Sequence, residues 1–268
     1  MLLDVNSHAT YCYTGGKPFN AEQPTVVLIH GVLNDHSVWI LQTRFLAHHG
    51  WNVLAVDLPG HGKSAGEAPA SVEAAASFIT ALLDAAGLVR VALVGHSWGS
   101  LIALHVAGGQ PDRVSHLVMV GTAFPMKVSP ALLDMSLNQP FKAIDLVNQF
   151  SHSMLAPPPS AMGPGTWLYG TARALMRRVL ASNPAVNVFH RGFQACDSYT
   201  RGLTAMARVS CPVLFVLGQD DQMTPPKAAQ ALVSAALHGR VLTVRAGHQL
   251  MLEAPDAVAL GLAAFLEE

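Results

Sequence analysis

The sequence predicts an α/β fold in which helices cover both faces of a mostly parallel central sheet. Short β-rich runs alternate with helical patterns along most of the 268 residues, which is typical of chains built from strand–helix–strand units. The composition agrees with this fold, because 51% of the residues are hydrophobic and only 12% are charged. A chain of this length can therefore bury the large core that such a sheet requires.

Six short apolar runs are predicted as the strands of the parallel sheet. The runs are 25–29, 53–57, 91–94, 117–120, 213–217 and 241–244. The first few residues and the segment 11–14 predict antiparallel strands at one edge. Helical patterns at 37–48, 71–86, 98–109, 226–237 and 256–266 fill the gaps between strands. Ser71 is a suitable N-cap for the second of these helices, and Pro255 can open the last.

The alternation of strands and helices breaks between Phe124 and about Arg208. Four helical patterns occur there, at 130–138, 140–153, 166–182 and 185–206, and no strand is predicted among them. We predict that 1–123 and 209–268 form the α/β core and that 124–208 is a helical cap inserted near the C-terminal edge of the strands. Ligands bind at that edge in open α/β folds.

The segment Gly95-His96-Ser97-Trp98-Gly99 predicts a serine nucleophile. It lies between a predicted strand and a predicted helix, so the chain must turn sharply at Ser97, and the side chain is presented clear of both elements. Glycine fits the flanking positions because a Cβ would collide where strand and helix cross. The hydroxyl would then lie at a helix N-terminus, which favours developing negative charge.

An acid and a histidine follow this serine at the ends of two later strands. His248 comes directly after the strand at 241–244 and is the candidate general base. Asp220 and Asp221 follow the strand at 213–217, and one of them is expected to orient the base. We favour Asp221, with Asp220 as the alternative whose carboxylate would instead bond nearby N–H groups of the turn.

The remaining parts of the site are assigned by their positions on neighbouring loops. The backbone N–H groups of Val32 and Trp98 are predicted to form the oxyanion hole. The predicted substrate pocket is apolar, with Phe150 and Trp167 above it in the cap. The residues predicted to line it are Leu33, Phe124, Met126, Met223, Leu250 and Trp167.

Five ordered motifs make the chain resemble the α/β-hydrolase superfamily, and in particular its small single-chain carboxylesterases. The motifs are Val27-Leu28-Ile29-His30-Gly31, the segment 57–64 (Asp-Leu-Pro-Gly-His-Gly-Lys-Ser), the serine motif at 95–99, Gly218-x-x-Asp221-x-x-x-Pro225, and Gly247-His248 with Glu253-x-Pro255. The resemblance covers nearly the whole length and implies a Ser–Asp–His order of catalytic residues. It also favours Asp221 over Asp220, and Asp57, His61 and Ser64 are interpreted as structural.

The reaction predicted from these features is ester hydrolysis through an acyl-enzyme, on short-to-medium and fairly apolar acyl substrates. Ser97 at the turn excludes the branches of the superfamily that place an aspartate there. Ser100 stands where C–C bond hydrolases and perhydrolases usually have a second glycine, so those reactions are less favoured. Another hydrolase reaction, such as thioester cleavage, and a low-turnover ligand receptor remain the alternatives.

Charge and cysteine content limit the remaining possibilities. Sixteen basic and seventeen acidic residues provide no charge excess that would attract nucleic acid or a membrane surface. Thirteen histidines lack metal-ligand spacing, so neither a metal nor another cofactor is expected. The three cysteines are expected to be reduced. Because no signal peptide or membrane span is recognised, we expect a cytoplasmic enzyme that acts on a small-molecule ester.

Overall fold

The predicted strands form one eight-stranded sheet in a computed structural model that describes residues 1–153 and 166–268. The six runs predicted as parallel strands all form, with bounds shifted by at most three residues. The strands are β1 (Leu2–Val5), β2 (His8–Tyr13), β3 (Thr25–Ile29), β4 (Asn52–Val56), β5 (Val91–His96), β6 (Val114–Val120), β7 (Val213–Gly218) and β8 (Gly239–Val244).

The strand order is β1-β2-β4-β3-β5-β6-β7-β8. The strands β1 and β2 are antiparallel at one edge, as the sequence predicts, and the strands from β4 to β8 pair in parallel. The strand β4, which follows β3 in the chain, lies on one side of β3, and β5 lies on its other side. The loops that follow β3 and β5 therefore lie side by side at the carboxyl edge. This is the place where open α/β sheets bind ligands.

Helices connect the strands, and short 3₁₀ turns precede α1 and α9. The helices are α1 (Ile40–His48), α2 (Val72–Ala85), α3 (Trp98–Gly109), α4 (Pro130–Asn138), α5 (Pro140–Phe150), α6 (Leu168–Ser182), α7 (Val188–Ser198), α8 (Gly202–Met206), α9 (Gln230–Ala235), α10 (Leu250–Glu253) and α11 (Pro255–Leu266). Ser71 caps α2 as expected, because its hydroxyl accepts the N–H of Ala74 at 3.1 Å.

Two apolar cores lie on opposite faces of the sheet. One core packs α2, α3, α8 and α9 against the sheet, and its largest buried residues include Trp98 and Phe215. The other core packs α1 and α11 with the helices α5 and α6, and it includes Trp39 and Phe189. The helix α7 contributes residues to both cores. Burial on both faces explains why the inner strands are apolar throughout.

The single helix predicted at 185–206 is wrong, because two helices occupy this segment. The helix α7 ends at Ser198, where Tyr199 adopts an extended conformation with φ −72° and ψ 122°. The helix α8 then begins at Gly202, and a Cβ on that residue would collide with the ring of Phe124. The packing of Phe124 against this glycine is a long-range contact, which local periodicity cannot reveal.

In the described part of the segment between β6 and β7, which is predicted as a cap, the chain forms the helices α4 to α8. The last of them, α8, packs directly against α3, where the backbone of Ala205 approaches Gly108. The bounds 124–208 of the cap stay a prediction. The segments 156–159 and 163–165, whose prolines and glycines predict a loop and a turn, lie outside the described residues. The helix predicted at 140–153 ends earlier, at Phe150, the last residue of α5.

Within the described parts of the chain, no helix has both the length and the hydropathy that crossing a membrane requires. The three cysteines are free and buried, at Cys12, Cys196 and Cys211. Burial raises the pKa of the Cys12 thiol to about 12 and that of Cys211 to about 11, so neither thiol is a reactive thiolate at neutral pH.

The adjacent glycines at the end of α3 provide a test of this packing. Gly108→Ala places a methyl group into the backbone of Ala205, so we expect overpacking to lower the free energy of unfolding by about 1–3 kcal/mol. Gly109→Ala is the matched control, since no atom lies within 4 Å of its added Cβ. Urea unfolding of both variants checks this expectation, and equal stabilities would contradict the close contact between α3 and α8.

Candidate active site

Ser97 lies at the sharp turn between β5 and α3, at the carboxyl edge of the sheet. Its backbone has φ 53° and ψ −120°, and a positive φ is rare for a residue with a Cβ. Backbone hydrogen bonds hold the turn, from the Ser97 N–H to the Val120 carbonyl and from the Ser100 N–H to the Ser97 carbonyl, both at 2.9 Å. The surrounding structure therefore maintains the strain that presents the serine side chain.

The two glycines that flank Ser97 permit this close packing. A Cβ on Gly95 would collide with the backbone of Gly99, and a Cβ on Gly99 would collide with the carbonyl of Ile29 in β3. Trp98 is the first residue of α3, so its N–H has no acceptor within the helix. The positive end of the helix dipole consequently lies beside the serine.

Asp221, rather than Asp220, is the aspartate that the structure buries beside His248. Asp220 is exposed to solvent, whereas Asp221 is 4% exposed and its Oδ2 accepts the Nδ1–H of His248 at 2.8 Å. The other oxygen of Asp221 accepts the backbone N–H groups of Met223 and Thr224, each at 2.8 Å. The carboxylate is thus held by donors on both oxygens.

Opposing influences act on the ionisation of Asp221. Burial alone would raise the pKa of its carboxyl group. The charge and hydrogen bond of His248, together with the backbone and hydroxyl donors of Thr224, outweigh the burial and lower the pKa to about 2. Asp221 is therefore a carboxylate at neutral pH, and it fixes the tautomer of His248 that carries its proton on Nδ1.

His248 lies on the loop between β8 and α10, and it is 6% exposed. Because its Nδ1 faces Asp221, its Nε2 is available as a base. Ser97 and His248 line the same two cavities, although no hydrogen bond joins the serine hydroxyl to the imidazole within the described residues. Catalytic hydrogen bonds of this kind are often long in the absence of substrate and tighten when it binds.

The loop after β3 brings Val32 to the serine. Gly31 packs against the turn so closely that an added Cβ would lie 3.1 Å from the Cβ of Ser97. Leu33 has φ 56°, a strained conformation, and the loop is closed by a bond from the Asn34 N–H to the Gly31 carbonyl at 3.3 Å. Among the described residues, the N–H groups of Val32 and Trp98 donate to no protein acceptor.

A large cavity of about 370 Å³ opens beside Ser97 and His248. Met126 and Met223, two of the predicted pocket residues, line it, and so does Phe150 from α5. Its apolar wall consists of Val32, Met126, Val128, Ala131, Leu132, Met135, Leu146, Val147, Phe150, Phe193 and Met223. A small cavity of about 30 Å³ also contacts Ser97 and His248, and the predicted pocket residue Leu33 lines this one.

Three predicted pocket residues do not line either of these cavities. Phe124 packs instead against Gly202 and against Tyr199, and Tyr199 belongs to the core around α3. Leu250 is fully buried beneath Gly121. Trp167 is 59% exposed and stacks on Tyr169 at the start of α6. The prediction was wrong for these three residues. It relied on their nearness in sequence to site residues or on their place in the cap, whereas the direction of a side chain depends on tertiary packing.

The large cavity also has polar residues on its lining. They are Ser97, Lys127, Ser129, Cys196, Gln222, Thr224 and His248. The Lys127 ammonium donates to the Asp197 carbonyl at 2.6 Å and lies 3.7 Å from the carboxylate of the same residue. Burial raises the pKa of the Cys196 thiol, so this cysteine is not a thiolate at neutral pH.

Separate hydrogen bonds hold the buried polar residues beneath the loop after β3, among them His61 and Ser64, which the sequence interprets as structural. His30 is fully buried and accepts the N–H of Leu58 on its Nε2 at 3.1 Å. Ser64 accepts the N–H of Tyr11 at 2.9 Å. Burial, together with the neighbouring His30, lowers the pKa of His61 to about 3, so that ring stays neutral.

One group of potential metal ligands occurs among the residues that the structure describes. It consists of Asp35, His36 and Asp57. Asp57 already accepts the Nδ1–H of His36 at 2.8 Å, and Asp35 accepts a guanidinium N–H of Arg178 at 2.7 Å. Because these carboxylate oxygens are bonded to protein donors, the group is an ion-paired network that fixes the loop before α1.

Sequence reasoning missed two side chains that contact the aspartate and histidine. The hydroxyl of Thr224 donates to Asp221 Oδ2 at 2.8 Å and lies 3.1 Å from His248 Nδ1. A threonine three residues after an aspartate is a turn signal that could have indicated the first contact. His96 donates from its Nε2 to the His248 carbonyl at 2.9 Å. No local sequence signal predicts that contact, which spans 152 residues.

Residues 24–157 match the family model described as alpha/beta hydrolase fold, and the chain belongs to this family. It is a hydrolase of that family, as the order of the sequence motifs predicts. The solved structures similar to it include an esterase from Exiguobacterium antarcticum, with a TM-score of 0.83, 18% identity and coverage of 100% of this chain and 99% of that one. An enol-lactonase from Burkholderia xenovorans LB400 has a TM-score of 0.83, 20% identity and full coverage of both chains.

Similar curated proteins carry different hydrolase names. Lipase LipV of Mycobacterium tuberculosis is 41% identical over 100 residues, and the match spans only 37% of each chain. The putative carbamate hydrolase RutD of Pantoea ananatis is 28% identical over 245 residues, which cover 88% of this chain and 86% of that protein. The names of these relatives imply different substrates, so the similarity does not identify the substrate of this chain.

The lowered pKa of Asp221 predicts a specific dependence of stability on pH. The folded-state pKa of about 2 lies below the ordinary value of 3.8. The carboxylate therefore stabilises the folded protein at pH values above 3.8. This stabilisation is lost as the pH falls towards 2. We expect the difference in unfolding free energy between wild type and Asp221→Asn to shrink as the pH is lowered from about 5 to about 2.5.

Urea unfolding at several pH values measures this difference. Asp220→Asn is the matched control, since it removes the neighbouring, exposed carboxylate. A difference for Asp221→Asn that stays constant across the range would contradict the ion pair with His248.

Proposed function

We propose that the protein hydrolyses carboxylic esters through an acyl-enzyme intermediate. Ser97 is the nucleophile, His248 is the general base and acid, and Asp221 orients His248. The support for these roles is their arrangement, in which a strained serine and a buried aspartate–histidine pair meet at one cavity. Such an arrangement makes a hydroxyl reactive without a metal or a cofactor.

In the first half of the proposed reaction, His248 Nε2 takes the proton of the Ser97 hydroxyl as its oxygen attacks the ester carbonyl. The N–H groups of Val32 and Trp98 donate to the oxyanion that forms. His248 then gives the proton to the departing alcohol, and the acyl group remains on Ser97. Asp221 stays ionised and stabilises the imidazolium while it carries the extra proton.

In the second half, a water molecule loses its proton to His248 and attacks the acyl-enzyme. The same two N–H groups stabilise the second oxyanion. The carboxylic acid leaves when Ser97 recovers its proton from His248. The same base acts in both halves, from the same side of the serine. A single imidazole with a fixed tautomer can therefore serve both halves.

The large cavity supports a substrate whose acyl group is short to medium in length and largely apolar. Its wall is formed mostly by methionine, leucine, valine and phenylalanine side chains, which favour burial of methylene groups. The lysine on its lining is engaged by Asp197, so it provides little attraction for an anionic substrate. We therefore place the acyl chain in the large cavity and the reacting carbonyl at the junction with Ser97.

Loss of activity in Ser97→Ala is the first test of the proposal. We expect the wild type to hydrolyse p-nitrophenyl butyrate and Ser97→Ala to lose turnover by about 10⁴-fold or more. Equal rates for the two proteins would refute ester hydrolysis at this serine. A wild type that binds such esters but turns none of them over would support a ligand receptor instead.

The adjacent aspartates separate the role of Asp221 from a general effect of charge. Asp221→Asn is expected to lower kcat by about 10⁴-fold, because it leaves His248 in the wrong tautomer. Asp220→Asn, which alters an exposed neighbour, is expected to stay within about twofold of the wild type, as exposed sites usually do. If both variants lose activity equally, the assignment of Asp221 is wrong.

Two leucines on α4 test the use of the large cavity. Leu132 lines that cavity, whereas Leu137 on the same helix is 52% exposed. Leu132→Trp is expected to lower kcat/KM for p-nitrophenyl octanoate by about 10-fold or more, relative to the acetate, because the added ring occupies the acyl space. Leu137→Trp should leave the ratio between the two esters unchanged. A Leu132→Trp variant with an unchanged ratio would place the acyl chain elsewhere.

A further inference from the structure

His96 occupies the position directly before the serine, at the end of β5, and its imidazole is almost completely buried. Its Nε2 lies 2.9 Å from the carbonyl oxygen of His248. A carbonyl can only accept a hydrogen bond, so Nε2 must carry the proton and Nδ1 must be the bare nitrogen. The residue before the proposed nucleophile therefore holds the main chain of the proposed base.

The ring of His96 also contacts the side chain and the loop that complete the site. Its centroid lies 4.7 Å from that of the His248 ring, at an interplanar angle of 46°. On the other side, a Cβ added to Gly31 would lie 2.9 Å from His96 Nδ1. The imidazole thus fills the space between the loop of His248 and the loop that carries Val32.

The protonation of His96 suits a fixed support. Burial lowers its pKa to about 3, with a further lowering from the neighbouring His248. The ring is accordingly neutral at pH values well above 3, and its tautomer does not change with pH in that range. His96 Nδ1 is buried without a partner among the described residues, so His96 Nε2 makes the ring's one hydrogen bond.

We propose that His96 is a positioning residue, whose Nε2–H holds the His248 main chain so that its imidazole stays aligned between Ser97 and Asp221. This inference rests on the proposed function. Two anchors then fix His248, one on its side chain through Asp221 and one on its carbonyl through His96. Each anchor removes a different freedom, because the first sets the rotation of the ring and the second sets the position of the backbone that carries it.

Glutamine and methionine at position 96 separate the hydrogen bond from the volume of the side chain. The two residues have similar length, but only glutamine carries an N–H donor. We expect His96→Met to lower kcat by about 10- to 100-fold, because small misplacements of a catalytic group have effects of this size. The KM should stay nearly constant, since His96 does not line the large cavity that we assign to the acyl chain.

His96→Gln is expected to recover most of the kcat that His96→Met loses. His116→Gln on the adjacent strand β6 is the control for a histidine replacement outside the site, and thermal unfolding of all variants accompanies the kinetics. Equal kcat values for wild type and His96→Met overturn the proposal. The proposal is also overturned if His96→Gln loses as much kcat as His96→Met and if these losses follow a lowered thermal stability of the variants.

A measurement without substrate keeps this inference separate from the proposed function. In the ¹H–¹⁵N spectrum of histidine-labelled wild type, assigned by comparison with His96→Gln, we expect His96 to carry its proton on Nε2, protected from exchange with water. A bare or freely exchanging Nε2 overturns the inference even if the enzyme cleaves esters. Absence of ester turnover that depends on Ser97, in contrast, refutes the proposed function whatever this spectrum shows.

Discussion

The strained backbone of Ser97 is the constraint on which the rest of the site depends. Its positive φ persists only because β3, β5 and α3 approach so closely that glycine is required at 95 and 99. That close approach places the N-terminus of α3, the loop after β3 and the serine side chain at one point of the sheet edge. The large buried cores on the two faces of the sheet stabilise this crossing, so the energy of folding supports the local strain.

Three long-range contacts bring the proposed base to this point. The carboxylate of Asp221 bonds the His248 side chain, and His96 bonds the His248 carbonyl. The neighbouring Gln249 N–H donates to the Ser151 carbonyl at the end of α5, at 3.0 Å. The loop of His248 is thus fixed from the β7 side, from β5 and from the helices between β6 and β7. A base held from three directions has little freedom to leave the serine.

Much of the fold and of the proposed triad could be predicted from sequence, because their signals are local. Apolar runs define the strands, and the Gly-x-Ser-x-Gly spacing defines the turn at Ser97. The pocket was less predictable. Phe124, Leu250 and Trp167 are apolar residues near the site in sequence, but packing against other elements turns them away. His96 escaped notice because its partner lies 152 residues later in the chain.

Trapping the acyl-enzyme is the most direct measurement of the central claim. The protein is mixed with p-nitrophenyl butyrate, quenched in acid within the first turnovers and digested, and the peptides are analysed by mass spectrometry. Our account predicts a butyryl group on the peptide that contains Ser97. A butyryl group on a different side chain, formed and lost at the rate of turnover, would contradict it.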